Sequence, residues 1–179
     1  MTATVVPVNG AGEVTGTVTF NSGLVKLGTA ALSNNQATFS TNSLALGTHV
    51  IWASYGGDTL NNPSDSVTFK QVVNQAATST AVTSSLNPAK VLNAITFTAT
   101  VTPKFGGTVT GTVTFLNGVP GLGTPTTLGT GTIDSSTGAA TFTTNKLAAG
   151  TYAITAVYNG DANLLTSTSM LLTQIVNPN

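Results

Sequence analysis

The sequence predicts an all-β chain made of two tandem antiparallel β-sandwiches. Three observations carry that expectation. Apolar and polar residues alternate with a period of two: in AITFTATV, Ile95, Phe97, Ala99 and Val101 fall on one face, and Thr96, Thr98 and Thr100 on the other. The composition is β-branched and almost uncharged, with 36 Thr and 19 Gly among 179 residues but only five Lys, five acids and no Arg. Such a chain suits pleated, half-buried strands, whereas disorder needs low hydrophobicity and high charge. Finally, one set of phrases is written twice in the same order, the mark of a duplicated module.

The repetition fixes the organisation. TATV stands at 2–5 and 98–101, TGTVTF at 15–20 and 110–115, and ATFST at 37–41 returns as ATFTT at 140–144. LALGTHVIWASYGGD at 44–58 becomes LAAGTYAITAVYNGD at 147–161, and QVVN at 71–74 becomes QIVN at 174–177. The offset is 96 at TATV and 95 at TGTVTF and then grows to 101 and 103, so beyond TGTVTF the second copy carries insertions of six residues, within 117–128, and then of two. The second copy also has QAATSTAVTSSLNPAKVLNAITF ahead of its TATV. Residues 1–74 therefore read as a module shortened by about one strand at its start, 75–77 as a short linker, and 78–179 as a complete module.

In the complete copy the strands follow in order. Residues 78–86 are a Thr/Val run closed by Asn87-Pro88, a turn signal. Residues 93–102 hold the AITFTATV alternation. In 109–116, Gly111, Val113 and Phe115 alternate with Thr110, Thr112 and Thr114, up to the turn pair Asn117-Gly118. A strand at 126–133 ends at the polar turn from Asp134 to Gly138, and 139–144 follows it. Residues 150–158 lead into Asn159-Gly160, and 167–176 closes the module. Seven short alternating strands in roughly 100 residues point to a sandwich of two antiparallel sheets.

The phrases TFTATVTP, TGTVTF, ATFTTNKLAAGTY and AVYNGDAN resemble the bacterial immunoglobulin-like repeat of the group 3 type. The resemblance covers 78–177, and 2–74 apart from the first strand. It implies immunoglobulin-like sandwiches that act as spacer, stalk or adhesion modules in tandem arrays of secreted or surface-attached bacterial proteins. The family supplies no catalytic residues. The chain departs from the pattern at Leu164, where an aromatic is usual, and in GGDTLNN of the first copy. Antibody-type domains bridge two core strands by a disulfide beside a Trp; here Phe97 or Ala99 and Ile154 fall at those interior positions. Trp52 lies on a later strand in the other phase.

Composition also excludes function classes. Zero net charge and missing Arg leave no basic footprint for nucleic acid. No apolar run reaches the length of a membrane-spanning helix, and Met1 is followed by Thr-Ala-Thr-Val-Val, with no basic leader of the secretory type. Catalysis fails on inventory: His49 is the only histidine, cysteine is absent, and Glu13, Asp58, Asp65, Asp134 and Asp161 are scattered along the chain. A Ser-His-Asp arrangement would leave the second copy without a base. The Gly-rich run at 118–131 lacks a phosphate-loop Lys. A Lys–Asn cross-link needs a buried acid, and Glu13 is the only Glu. No catalytic residue and no cofactor are expected.

A few residues remain as candidates. Tyr152 follows Leu-Ala-Ala-Gly-Thr at the start of a strand, the placement of a tyrosine corner, and His49 occupies that position in the first copy. Asp58 and Asp161, in the repeated Gly-Asp pair, read either as Ca²⁺ ligands at a module pole or as Asx-type turns. Trp52 aligns with Thr155 and should face outward, covered by a loop or contacting a partner. Val119 and Leu122 form an apolar insertion in a Thr-coated module, a second candidate surface.

The expected function is structural. Three settings follow: a spacer or adhesion module outside the cell or on its surface; a self-assembling filament or virion subunit that takes a donated strand; or a protein or glycan binder through Trp52. Partners would be neighbouring modules, copies of itself, or such a ligand.

Overall fold

The computed structural model describes residues 1–8 and 13–179. The described residues are all-β, and no helix among them is long and apolar enough to cross a membrane. The chain divides into two compact units, Met1–Asn74 and Gln75–Asn179.

The second unit is the more complete. One sheet joins β8 (Thr78–Ser84), β10 (Ile95–Pro103) and β13 (Ala139–Thr144) in the order β13-β10-β8. The other joins β12 (Thr126–Thr132), β11 (Thr112–Asn117), β14 (Gly150–Tyr158), β16 (Leu172–Asn177) and β9 (Ala89–Lys90), with β15 (Ser167–Thr168) also on β14. Pairing is antiparallel except between β16 and β9. Asn87, in the turn after β8, carries the chain across to the second sheet: its amide donates to Thr173 O and its carbonyl accepts from Ile175 N–H.

The alternation read from the sequence becomes the core. Phe97, Ala99 and Val101 of β10 meet Val113 and Phe115 of β11 and Ile154, Ala156 and Tyr158 of β14, all buried. Phe97, Ala99 and Ile154 thus fill the interior with aliphatic and aromatic carbon. Leu164, where the family pattern has an aromatic, is also in this core.

The first unit repeats the plan with fewer strands. β1 (Thr2–Thr4) pairs with β4 (Gln36–Thr38), while β3 (Val25–Ala31), β2 (Thr17–Ser22), β5 (Gly47–Tyr55) and β6 (Ser64–Asp65) form the larger sheet, with β7 (Phe69–Val73) on β5. Its buried cluster is smaller: Val14, Val18, Phe20, Ala37 and Tyr55. No counterpart of β8 or β9 exists among its described residues.

In each unit the two sheets are tied by one aromatic pair: Phe20 stacks on Phe39 at 5.6 Å, and Phe115 on Phe142 at 5.9 Å. The pairs lie against Gly28 and Gly129, where an added Cβ would overlap the Phe39 or Phe142 ring.

Two differences from the sequence reading have local causes. The last strand, expected to run unbroken over 167–176, is interrupted after Thr168. There the Ser169 hydroxyl accepts from Ala156 N–H and donates to Met170 O, taking a place in the ladder. Ser66 does the same against Ala53 and Val67. Residues 75–77, read as a linker, are hydrogen-bonded into the second unit: Ala76 N–H donates to Asn163 O, and Leu165 N–H to Ala76 O.

Candidate functional site

The repeated phrase ends in the Gly-Asp turn, and both copies build it alike. Gly57 and Gly160 have φ of +85° and +78°, a region costly for residues with a Cβ. That twist points the next side chain back at the sandwich. Asp161 Oδ2 accepts from Thr110 N–H at 3.1 Å and the Thr110 hydroxyl at 2.8 Å, and Oδ1 accepts from the amides of Asn163 and Leu164, each at 2.8 Å. Asp58 Oδ2 accepts from Thr15 N–H at 3.0 Å and Thr15 Oγ1 at 3.2 Å, and Oδ1 from the amides of Leu60 at 2.8 Å and Asn61 at 2.7 Å. Each carboxylate clasps its own turn to the strand-opening Thr of TGTVTF.

The electrostatics follow from this geometry. The Thr15 and Leu60 amides lead in holding the Asp58 carboxyl far below its ordinary value. For Asp161, partial burial pulls upward, but the Thr110 hydroxyl and the Asn163 and Thr110 amides outweigh it and the value is lowered. A tyrosine sits under each clasp, Tyr55 Oη donating to Thr15 O at 2.8 Å and Tyr158 Oη to Thr110 O at 2.9 Å. Burial, then the neighbouring Asp161, pushes the Tyr158 phenol up to about 12.

A carboxylate offers about four lone-pair sites, and four protein donors occupy those of Asp161. Ca²⁺ needs six to eight oxygens; among the described residues no three His, Asp or Glu side chains gather to hold a metal. The geometry of Asp58 and Asp161 is that of an Asx-type turn. Gln75 lies beside the second turn, its amide donating to Asp161 O and Ala162 O.

His49 and Tyr152 make the same contact. Tyr152 Oη donates to Ala148 O at 3.0 Å, and His49 Nε2 stands 2.8 Å from Ala45 O, the matching carbonyl. A carbonyl only accepts, so Nε2 carries a proton, and Nδ1 lies 3.2 Å from the Ser22 hydroxyl. His49 is a corner residue, and its outer nitrogen meets a backbone carbonyl instead of an acid.

Trp52 and Thr155 also share a role. Trp52 is half-buried and its indole N–H donates to Gly23 O at 2.9 Å; Thr155 is buried and its hydroxyl donates to Gly118 O at 2.6 Å. Both positions were expected to face outward. They do leave the core, but the connection after the neighbouring strand folds over them. Where that connection is the short turn Ser22–Val25, an indole fills the space; where it is the long 117–126 loop, a threonine suffices. In that loop Val119 is half-buried and Leu122 is 81% exposed.

The sequence reading missed Gln174, fully buried in β16. Its amide donates to Leu86 O and Ile175 O, and its carbonyl accepts from the Ser84 hydroxyl at 2.6 Å. The signal was present in QVVN and QIVN, a glutamine in the inward phase of a strand in both copies.

Two sandwiches with a repeated corner and a repeated turn clasp define a tandem immunoglobulin-like protein. The family profile for the bacterial Ig-like domain (group 3) matches residues 1–74 and 82–177, and the chain belongs to that family. A search among curated proteins gives no match. Among solved structures, the fibronectin(III)-like modules of Clostridium thermocellum CbhA are similar at a TM-score of 0.39 and 13% identity, over 90% of this chain and 78% of that one.

Proposed function

We propose that the chain is a spacer or stalk segment of a large extracellular or surface-attached bacterial protein, and that it does no catalysis. The observation that carries this is how the repeated polar residues are used. Asp58, Asp161, Tyr55, Tyr158, Tyr152 and His49 all bond inward to their own module, so the duplicated phrase maintains scaffold. Bacterial Ig-like domains are structural modules, and they are typical of proteins outside the cell. The surface left over is neutral and rich in Thr and Ser hydroxyls, suited to a weakly interacting segment. Any adhesive contact belongs where the copies differ, and Leu122 offers more free area than Trp52, whose N–H is already bonded.

The test is location. An antibody against this chain should label intact producing cells, and protease added outside should remove the label. Recovery of the whole pool from the cytoplasmic fraction would overturn the reading.

A further inference from the structure

Two Asn-Gly pairs stand in the second unit, Asn117-Gly118 and Asn159-Gly160; a third, Asn9-Gly10, lies outside the described residues. In such a pair the glycine has no Cβ to crowd its amide, and its nitrogen can reach the carboxamide carbon before it by closing a five-membered ring. What holds the two groups decides whether it does. At Asn117 the sheet holds both. Gly118 N–H donates to Ala153 O at 2.7 Å, and Asn117 Oδ1 accepts from Ala153 N–H at 3.0 Å. The nucleophile and the carbonyl it would attack are thus locked to one residue of β14.

At Asn159 the sheet holds neither. The residue is exposed, just past the end of β14. Its own N–H donates to Thr112 O at 3.0 Å, and the next backbone bond is made by Asp161 N–H, to Leu164 O at 3.1 Å. Between them, Gly160 N–H has no hydrogen-bond partner among the described residues. The carboxamide touches hydroxyls in place of backbone: Nδ2 donates to Thr112 Oγ1 at 2.9 Å and Thr114 Oγ1 at 3.1 Å, and the Thr114 hydroxyl lies 3.4 Å from Oδ1. Two pairs with one sequence therefore stand in opposite states. The first copy has Gly56-Gly57 at this place and no carboxamide to react.

We infer that Asn159 is a self-modification site, and that its conversion loosens the Asp161 clasp. Hydroxide takes the Gly160 amide proton, and the Gly160 nitrogen attacks Asn159 Cγ. The N–Cγ bond forms, the Cγ–Nδ2 bond breaks, and Nδ2 leaves as ammonia with a proton from water, which restores the hydroxide. A second water opens the ring. Attack at Cγ gives aspartate, and attack at the main-chain carbonyl gives isoaspartate, in which the chain runs through the side chain. Either product adds a negative charge to a chain of zero net charge. Isoaspartate also adds one atom to the backbone two residues before Asp161, whose carboxylate holds Thr110. The clasp of the second unit then loosens with age, and that of the first does not. The reaction needs only water, so it does not depend on where the protein is located.

The test is peptide mapping of the 179-residue chain, kept folded at mildly alkaline pH and sampled over days. Asn159 should gain one mass unit at least about tenfold faster than Asn117, because the Gly118 amide must first open from Ala153. Isoaspartate and aspartate should both be found there, and in urea the two sites should react alike. In the isoaspartate fraction, amide exchange at Thr110 should quicken by about tenfold while Thr15, its counterpart in the first unit, is unchanged. An Asn159→Gln chain, whose longer side chain cannot close the five-membered ring, should show neither change. Four results would each overturn the proposal: Asn159 intact in the folded chain while the urea-unfolded chain reacts there; equal rates at the two sites in the folded chain; aspartate as the sole product, the mark of direct hydrolysis; or Thr110 exchange unaltered by isoaspartate.

Discussion

At the scale of single residues, the two copies show one job done by different side chains. His49 and Tyr152 both reach the carbonyl four residues back, so the lone histidine of the chain takes the corner position that a tyrosine holds in the second copy. Trp52 and Thr155 likewise each bond a glycine carbonyl in the connection that folds over them, a short turn in one copy and a long loop in the other. The clasp is the part with a measurable pH signature. Asp58 and Asp161 titrate below the ordinary 3.8 in the folded chain, so their stabilisation is present above that pH and is lost as pH falls through their lowered values. Tyr158 has the opposite sign. Its phenol is held neutral up to about 12 against an ordinary 10.0, so its contribution is complete below pH 10 and disappears between 10 and 12. Urea midpoints of the second unit should be level from about pH 5 to 9 and fall on both sides. Tyr158→Phe should cost about 1 kcal/mol near neutrality by losing the bond to Thr110, and should flatten the alkaline fall; an unchanged slope above pH 10 would show that the phenol is not its source.

At the scale of elements, the sandwich holds where an aromatic from one sheet lies over a glycine in the other. Phe142 stacks on Phe115 and covers Gly129 of β12; Phe39 does so with Phe20 and Gly28 of β3. A methyl at Gly129 would force the Phe142 ring out of its seat, an overpacking change that costs roughly 1–3 kcal/mol. Gly129→Ala should lower the denaturation midpoint of the second unit by that amount, while Gly121→Ala, in open space on the exposed 117–126 loop, should cost only its left-handed backbone strain, about 1 kcal/mol. Equal effects would remove the steric argument. The strands themselves were legible, because a period of two survives wherever one face is buried: Ile95, Phe97, Ala99 and Val101 are all inside. What was not legible is polar work done by backbone-seeking side chains. Ser66 and Ser169 enter the ladder and break the last strand, and Gln174 is buried by Leu86 O, Ile175 O and Ser84. These depend on partners that hydrophobic periodicity does not register. The Gly-Asp turn was visible as a repeated pair, but the donors on each carboxylate, five on Asp58 and four on Asp161, include a threonine some 40 to 50 residues earlier that the pair itself does not announce.

At the scale of the whole molecule, duplication makes each unit a control for the other. Among the described residues, the second unit buries a cluster of sixteen running from Ala89 to Val176, whereas the first buries five in its cluster. The residues equivalent to Ala99, Val101 and Ala156 are partly exposed in the first unit, so each removes less apolar area from water, at about 25 cal/mol per Å². The first unit should therefore be the weaker, and the two should unfold as separate transitions, since separate compact units need not share one two-state equilibrium. The sequence provides the probe: Trp52 is the only tryptophan and lies in the first unit. On heating, Trp52 emission should follow only the earlier transition, while far-UV circular dichroism should show both. A gap of roughly 10 °C is expected, because one kcal/mol is worth about 4–8 °C in a domain of this size. Tyr158→Phe should move only the later transition. Coincident emission and dichroism curves would mean that the units unfold together, and the difference between their cores would then not set their order of melting.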